Sequence, residues 1–525
     1  MCVLILGIGI RILKFPEIPP GLHIDEASSA YEAFSLLETG KDKWGHPLPA
    51  YFPGWGSGQN VLQAYLTIPF LKLFGLGILS ARLPALILGI LSLPLFFYCL
   101  RPVGRFPALL GLLLISLVPW HFMLSRWALE SNLAPFCMLL GATALTRALL
   151  TREKRWIVPA LIPFAGALYA YGTTILVLPA LFGLVWWFYY KQIRLQWPAW
   201  LLALTLFSIL AFPFFIFFVE NYLLHANLSW TDGFFFSTPL LPSNRLHQIS
   251  SGSWLDTLYV NYRFLKTGFA DNTNYNLMPG YRLLLSLTLP VTIAGLITGI
   301  FQMLGRKDQW QLKPGNTVIA VFLFWAMASG VLAFCFRLNI NRFNHFYLPA
   351  LAISVWLINT GIKSLNHPLL KRTLQLGVVG WMVVESSAGI LHYFTYYPQT
   401  EIRTGFQAGL EEAFEAVHQL PVSQVRLPTD NMPLPLTYNY ALFYLHYPPA
   451  AFQEKGDFKI EGGVYKVNRF GKYLFYDAYL DRRKAYGYLT RKGGFKSDAR
   501  LRREICYENE FWEVGIIRPA PVIRR

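Results

Sequence analysis

Asp25 and Glu26 are adjacent carboxylates just after His23, in the run Gly21-Leu22-His23-Ile24-Asp25-Glu26-Ala27. A carboxylate within hydrogen-bond reach of a hydroxyl or amine can act as a general base, and that is the chemistry this pair offers. Downstream, Ala27, Ala30, Tyr31, Phe34 and Leu37 keep helical spacing up to Gly40. The pair is therefore expected to open an amphipathic helix resting on a membrane surface. Acids in a first helical turn are also favoured by the macrodipole alone, so a structural role competes with the catalytic one.

Two further groups place charge beside apolar runs. The stretch 119–132 carries His121, Arg126 and Glu130, and in a helical turn Arg126 and Glu130 would stand at i, i+4 and could pair. The stretch 337–349 carries Arg337, Arg342 and His345 ahead of Pro349. A guanidinium offers two parallel hydrogen bonds to one phosphate, so Arg342 foremost suits a phosphate ligand. Ionisable groups at the rim of a membrane are costly and by default mark a site. Tyr169-Ala170-Tyr171 opens another turn, where the tyrosines suit an interfacial aromatic belt better than a site. Asp25, Glu26, His121 and Glu130 could supply ligands to a divalent metal ion, although nothing in their spacing demands one. The run Gly54 to Gly58 is no phosphate loop, for it lacks the following Lys-Ser/Thr and the strand-to-helix setting.

What must position these residues is a membrane-embedded scaffold. The 525 residues are 54% hydrophobic and 14% charged, and the mean hydropathy is +0.38, which excludes a soluble multidomain protein. Sixteen tryptophans and 28 tyrosines fit many interfacial crossings. The net charge is +17, of which residues 393–525, with 19 Lys+Arg and 15 Asp+Glu, hold +4 and the rest +13. That excess falls largely in short loops between apolar runs, the orientation signal of a membrane protein, so it implies no nucleic-acid partner. Four of the five cysteines sit in or beside apolar runs, and no disulfide framework or metal spacing follows. The opening run Cys2 to Ile12 has no basic start or cleavage site and is shorter than the ~20 residues of a spanning helix. The first helix is thus expected to begin upstream of Met1.

Basic clusters at 101–105, 147–155, 191–194, 306–313 and 363–372 alternate with pairs of apolar spans. With an inside N-terminus, spans are expected near 1–15, 79–100, 106–122, 131–150, 156–170, 173–190, 197–219, 282–304, 317–336, 343–361 and 373–392. About eleven transmembrane helices follow, with the C-terminus outside. Residues 15–79 form one external loop, whose 60–74 part is amphipathic and suits the interface. Residues 220–281 form a second, with Trp230, His247, Trp254 and Asp271 to Asn274. The fold class is mainly α: a polytopic membrane helical bundle over 1–392 with external amphipathic helices, and a small C-terminal α+β extracytoplasmic domain over 393–525. In that domain 406–418 reads as a helix, and 463–476, 485–490 and 511–517 alternate like strands.

Together these landmarks resemble the GT-C glycosyltransferases, in the branch of the protein O-mannosyltransferases and the lipid A aminoarabinose transferase. The matching residues are Asp25-Glu26, Arg82-Leu83-Pro84, Ser125-Arg126-Trp127-Ala128-Leu129-Glu130, Tyr169-Ala170-Tyr171 and Arg342-Phe343 with Leu348-Pro349-Ala350, in that order over about 15–392. The resemblance implies a polyprenyl-phosphate sugar donor, an extracytoplasmic protein, lipid or glycan acceptor, and transfer with inversion in the cell membrane. It further implies that Asp25 is the base, that Glu26 assists in the acceptor site or in positioning, and that Arg126, Arg342 and His345 contact the donor phosphate. His121, Glu130, Arg337 and Tyr171 complete the candidates. A lipid-linked glycan flippase or a glycan polymerase would use similar substrates. A flippase should show repeats and charge along its central helices, whereas here the charge gathers in external loops.

Overall fold

Every expected span has a helical counterpart in the computed structural model, which describes residues 1–54, 58–231, 234–242, 253–271, 275–305, 310–311, 313–428, 437–461, 463–476, 478–494 and 501–519. Trp55 to Ser57, His247, Asn272 to Asn274 and most of the 306–313 cluster lie outside the described residues. Among the described residues eight helices, rather than about eleven, are long and apolar enough to cross a membrane, which makes this a multi-pass membrane protein. The shortfall has local causes. Cys2–Ile12 has 11 residues. Arg105–Leu117 stops because Val118, which precedes Pro119, is extended at φ −65°, ψ 128°, as the proline ring disfavours the helical region for its predecessor. The expected span 156–170 divides into Lys154–Ile157, a 3-10 turn Val158–Leu161 and Ile162–Ala170, with Pro159 and Pro163 each removing a backbone donor.

The chain gathers into two compact units. The first comprises Met1–Phe15, Pro84–Phe215 and Leu246–Thr400. Its central helices are Pro314–Gly330 and Asn344–Ser364, buried almost continuously over Val318–Ala326 and Asn344–Trp356. By contrast Pro368–Thr395 exposes Leu376 and Val384, as a lipid-facing helix must.

The second unit comprises Pro16–Leu83, Ile216–Arg245 and Glu401–Arg525. The first long loop and the 216–245 part of the second thus group with the tail, while the rest of the second loop belongs to the first unit. Its sheet has seven strands, β1 (Val425–Arg426), β2 (Asp457–Glu461), β3 (Val464–Phe470), β4 (Tyr473–Leu474), β5 (Tyr486–Arg491), β6 (Leu501–Glu508) and β7 (Trp512–Pro519), in the order β2-β3-β4-β1-β5-β7-β6. β1 is parallel to β4 and β5, and the remaining pairs are antiparallel. The edge strand β2 is almost wholly exposed and alternates Asp, Lys and Glu with apolar residues, which blunts it against further pairing. The helices Leu410–Gln419, Thr437–Tyr444 and Pro449–Lys455 complete an α+β domain.

The helix Ile24–Thr39 does not rest on a membrane surface as expected. Ile24, Ala27, Ala30 and Tyr31 share one apolar core with Leu410, Phe414, Tyr438, Trp512 and Val514. Glu26 through Ala33 are all buried, so protein surrounds the helix. It stops at Gly40, whose φ of +70° is readily adopted without a Cβ.

Candidate active site

The acidic turn lies in the second unit, and its two carboxylates are built into different environments. His23 caps the helix: its Nδ1 accepts the Asp25 N–H at 3.2 Å, and its own N–H donates to Glu26 Oε2 at 2.9 Å, a reciprocal capping box. Arg82 then closes the Glu26 carboxylate, donating from Nε to Oε1 and from a terminal nitrogen to Oε2, both at 2.9 Å. The remaining Arg82 donors reach the carbonyls of Pro16, Pro19 and Gly21 at 2.6–2.8 Å. Arg82 and Glu26 are fully buried. Such an arrangement fixes the turn.

Asp25 is different. Its side chain keeps 22% of its surface exposed, with Oδ2 3.5 Å from His23 Nδ1, while its carbonyl accepts from Gln59 Nε2 at 3.1 Å. Gly21 lets the turn pass close to the tail: the Leu22 N–H donates to the Phe406 carbonyl at 2.6 Å. A Cβ at Gly21 would lie 2.2 Å from that oxygen, at a φ of +82°.

Further along the same unit are buried charges that the sequence did not single out. Lys43 pairs with Glu32 at 3.0 Å and donates to Ser28 Oγ and Asn439 Oδ1. Burial pushes the Glu32 carboxyl up to about 7 against the pull of Lys43. Asp42 accepts from the Trp44 and His46 N–H groups and from His46 Nδ1 at 2.9 Å. Burial lowers the His46 pKa, but the bond to Asp42 and its charge outweigh that and leave it raised.

The other candidates lie in the first unit. Arg126 is buried and points at a helix end: one terminal nitrogen donates to the carbonyls of Ile10 and Arg11, the other to those of Leu13 and Lys14, at 2.6–3.1 Å. It thereby caps the C-terminus of Cys2–Ile12, where unpaired carbonyls and the dipole favour a cation. The Tyr393 and Phe394 rings lie against the guanidinium, at 5.5 and 5.3 Å. This geometry supports anchoring of the first helix rather than the phosphate contact expected of Arg126. His121 is equally committed, its Nδ1 2.6 Å from Arg11 Nη2, and Glu130 is buried in the 3-10 turn Glu130–Asn132.

Three predicted turns do meet within this unit. Trp120 Nε1 donates to Asn344 Oδ1 at 2.9 Å, and Asn344 Nδ2 donates to the Ser131 carbonyl at 3.2 Å. Thr174, just beyond Tyr171, donates to the Ala167 carbonyl and lies 3.2 Å from His345 Nε2. His345 Nε2 must then be the donor, which leaves Nδ1, buried without a hydrogen-bond partner, as an acceptor. Arg342 is half-buried on the adjoining loop, with a terminal nitrogen donating to the Arg337 carbonyl at 2.9 Å and Phe336 beneath it at 5.7 Å. Arg337 pairs with Asp256 at the exposed surface. Among the described residues no group of three or more His, Cys, Asp or Glu converges as metal ligands.

The residue that sequence reasoning undervalued is Arg82. It was a landmark of the resemblance, yet its bond to Glu26, 56 positions away, carried no local signal.

No protein-family model and no curated protein matches the sequence. Solved structures do. ArnT from Cupriavidus metallidurans, solved with undecaprenyl phosphate bound, aligns over 98% of this chain and 96% of its own with a TM-score of 0.56 at 13% identity. The oligosaccharyltransferase from Archaeoglobus fulgidus, solved with zinc and sulfate, aligns over 85% of this chain and 61% of its own, with a TM-score of 0.50 at 13% identity. The chain thus has the fold of these solved structures.

Proposed function

We propose that the protein is a membrane glycosyltransferase that transfers a sugar from a polyprenyl-phosphate donor to an extracytoplasmic acceptor with inversion, with Asp25 as the general base. The observation that carries this reading is the division of labour in the acidic pair. Glu26 is closed by Arg82 and the His23 N–H, whereas Asp25, one residue earlier, keeps a partly exposed carboxylate on a rigid turn. A base needs that combination: a fixed backbone and an oxygen that an acceptor can reach.

In the proposed step the acceptor hydroxyl or amine gives its proton to Asp25 as it attacks the anomeric carbon. The bond to the lipid phosphate breaks from the opposite face, and the phosphate leaves with the electron pair. Fixed positive charge in a water-poor setting stabilises such a leaving group, and Arg342 is the guanidinium proposed to contact the donor phosphate. One of the two similar solved structures is an oligosaccharyltransferase by name and the other holds undecaprenyl phosphate, which supports this donor class. The polyprenyl tail can stay in the bilayer while its head enters the protein.

The test is transfer from a radiolabelled polyprenyl-phosphate sugar by purified protein in lipid. Asp25→Asn should fold normally and lose transfer by about 10²–10⁴-fold, the usual contribution of a general base. Retained transfer would refute the base, while lipid translocation without transfer would favour a flippase.

A further inference from the structure

At one end of the first unit, the last turn of the helix Ile78–Leu100, the start of Arg105–Leu117 and the last turns of Ala134–Thr151 enclose a cavity of about 680 Å³. That volume suits a small ligand or a lipid headgroup. Its walls include Tyr98, Arg101, Arg105, Thr146, Arg147 and Leu150, three arginines with no carboxylate among the lining residues. The nearest acid in the chain, Glu153, pairs with Arg155 instead.

Three features make this more than a cluster of topological charges. First, two of the guanidiniums are preoriented on rings: Arg147 lies over Tyr98 at 4.7 Å and donates to its hydroxyl, and Arg101 lies over Phe97 at 5.6 Å. Second, the buried Thr146 hydroxyl has no hydrogen-bond partner. Its neighbours Thr143 and Thr151 follow the usual habit of helical threonines and donate to the carbonyl four residues back, at 2.7 and 3.0 Å. Thr146 therefore offers the cavity an unused donor. Third, the polar mouth continues into an apolar strip. Leu91 stands two turns before Tyr98 on one helix and Leu140 two turns before Arg147 on the other, so each pair shares a face, and both leucines are exposed.

The geometry points to a binding site for the phosphate headgroup of an anionic membrane lipid, held by Arg101, Arg105, Arg147 and the Thr146 hydroxyl, with its acyl chains against Leu91 and Leu140. The guanidinium forks match phosphate oxygens, the hydroxyl supplies one more donor, and the strip below explains why the ligand is an amphiphile rather than a soluble anion. The Asp25 turn contributes no residue to it.

The experiment uses the delipidated full chain in detergent, titrated with dioleoyl phosphatidylglycerol, dioleoyl phosphatidylcholine or inorganic phosphate and followed by native mass spectrometry and thermal unfolding. Phosphatidylglycerol should bind saturably and raise the unfolding midpoint more than phosphatidylcholine. The triple variant R101Q/R105Q/R147Q should weaken it about a hundredfold, at roughly a factor of five per arginine. Should that variant fail to fold, Thr146→Val, which removes the hydroxyl at nearly constant shape, should reduce the preference for phosphatidylglycerol. Equal binding of the two lipids, or an unchanged preference in the variants, would overturn the proposal. So would inorganic phosphate matching the lipid's effect, since the ligand would then be a soluble anion.

Discussion

Removing Arg82 should unfasten the acidic turn, and the size of the effect follows from what the guanidinium holds. It makes five hydrogen bonds, two to Glu26 and three to backbone carbonyls, all within a fully buried pair. Arg82→Met keeps much of the side-chain length but removes both guanidinium bonds to the Glu26 carboxylate, which keeps the bond from the His23 N–H. Removing one partner of a buried ion pair costs about 3–5 kcal/mol, because the other charge stays desolvated. At about 2–4 °C per kcal/mol for a unit of this size, the unfolding midpoint should drop by about 6–20 °C. The assay is thermal unfolding in one detergent at one scan rate, on the wild type, Arg82→Met, Glu26→Gln and the double variant. Because the double variant carries no uncompensated buried charge, it should be more stable than the two single losses added together imply, by about 1–3 kcal/mol. A drop equivalent to less than about 1 kcal/mol, the size expected of an exposed pair, would refute the assignment. Strict additivity in the cycle would refute it as well.

Gly21→Ala should destabilise the same turn by about 1–3 kcal/mol, since it adds a Cβ 2.2 Å from the Phe406 carbonyl at positive φ; an unchanged midpoint would contradict the close approach. Stability should fall as pH rises from 6 to 8. His46 is raised in the fold, so its contribution is complete below its unfolded value of about 6.5 and disappears as pH climbs through the folded one. Glu32, lifted to about 7, has the same sign: its contribution is full below its unfolded value of about 4.3 and declines up to about 7. His46→Gln should flatten the upper part of that slope, and a slope of opposite sign would refute both. Arg126→Gln should lower the unfolding midpoint while changing the donor KM little, as the loss falls on the helix cap; a large KM effect at an unchanged midpoint would restore the phosphate role. Arg342→Ala should raise the donor KM more than the acceptor KM, and the reverse would remove Arg342 from the donor phosphate.

Hydropathy made the membrane helices legible, because each long span is a continuous apolar run between basic loops. The breaks at Pro119, Pro159 and Pro163 were written in the sequence too, yet a span count that tolerates proline passes over them. The tail's helix and the strands β3, β5 and β7 showed through periodicity, whereas β1, with two residues, and the charge-rich strands β2 and β6 had too little pattern to register. Within the candidate site, Asp25 was visible as a type of chemistry, but the difference between Asp25 and Glu26 was not. It depends on Arg82, and on a cap in which histidine replaces the usual Ser, Thr, Asp or Asn. The role of Arg126 was hidden for another reason: its partners are backbone carbonyls, which leave no mark on residue type.

The second unit is assembled from three stretches of chain, 16–83, 216–245 and 401–525. The core beneath the Asp25 turn includes Trp512, Val514 and Ile516 of β7. During synthesis the helix Ile24–Thr39 is made early but finds that strand only when nearly the whole polypeptide has emerged. The proposed base is therefore assembled last, although it is translated among the first residues. A chain interrupted before β7 could insert its membrane helices yet lack the packed support of this turn, which makes completion of the tail a natural checkpoint between insertion and activity.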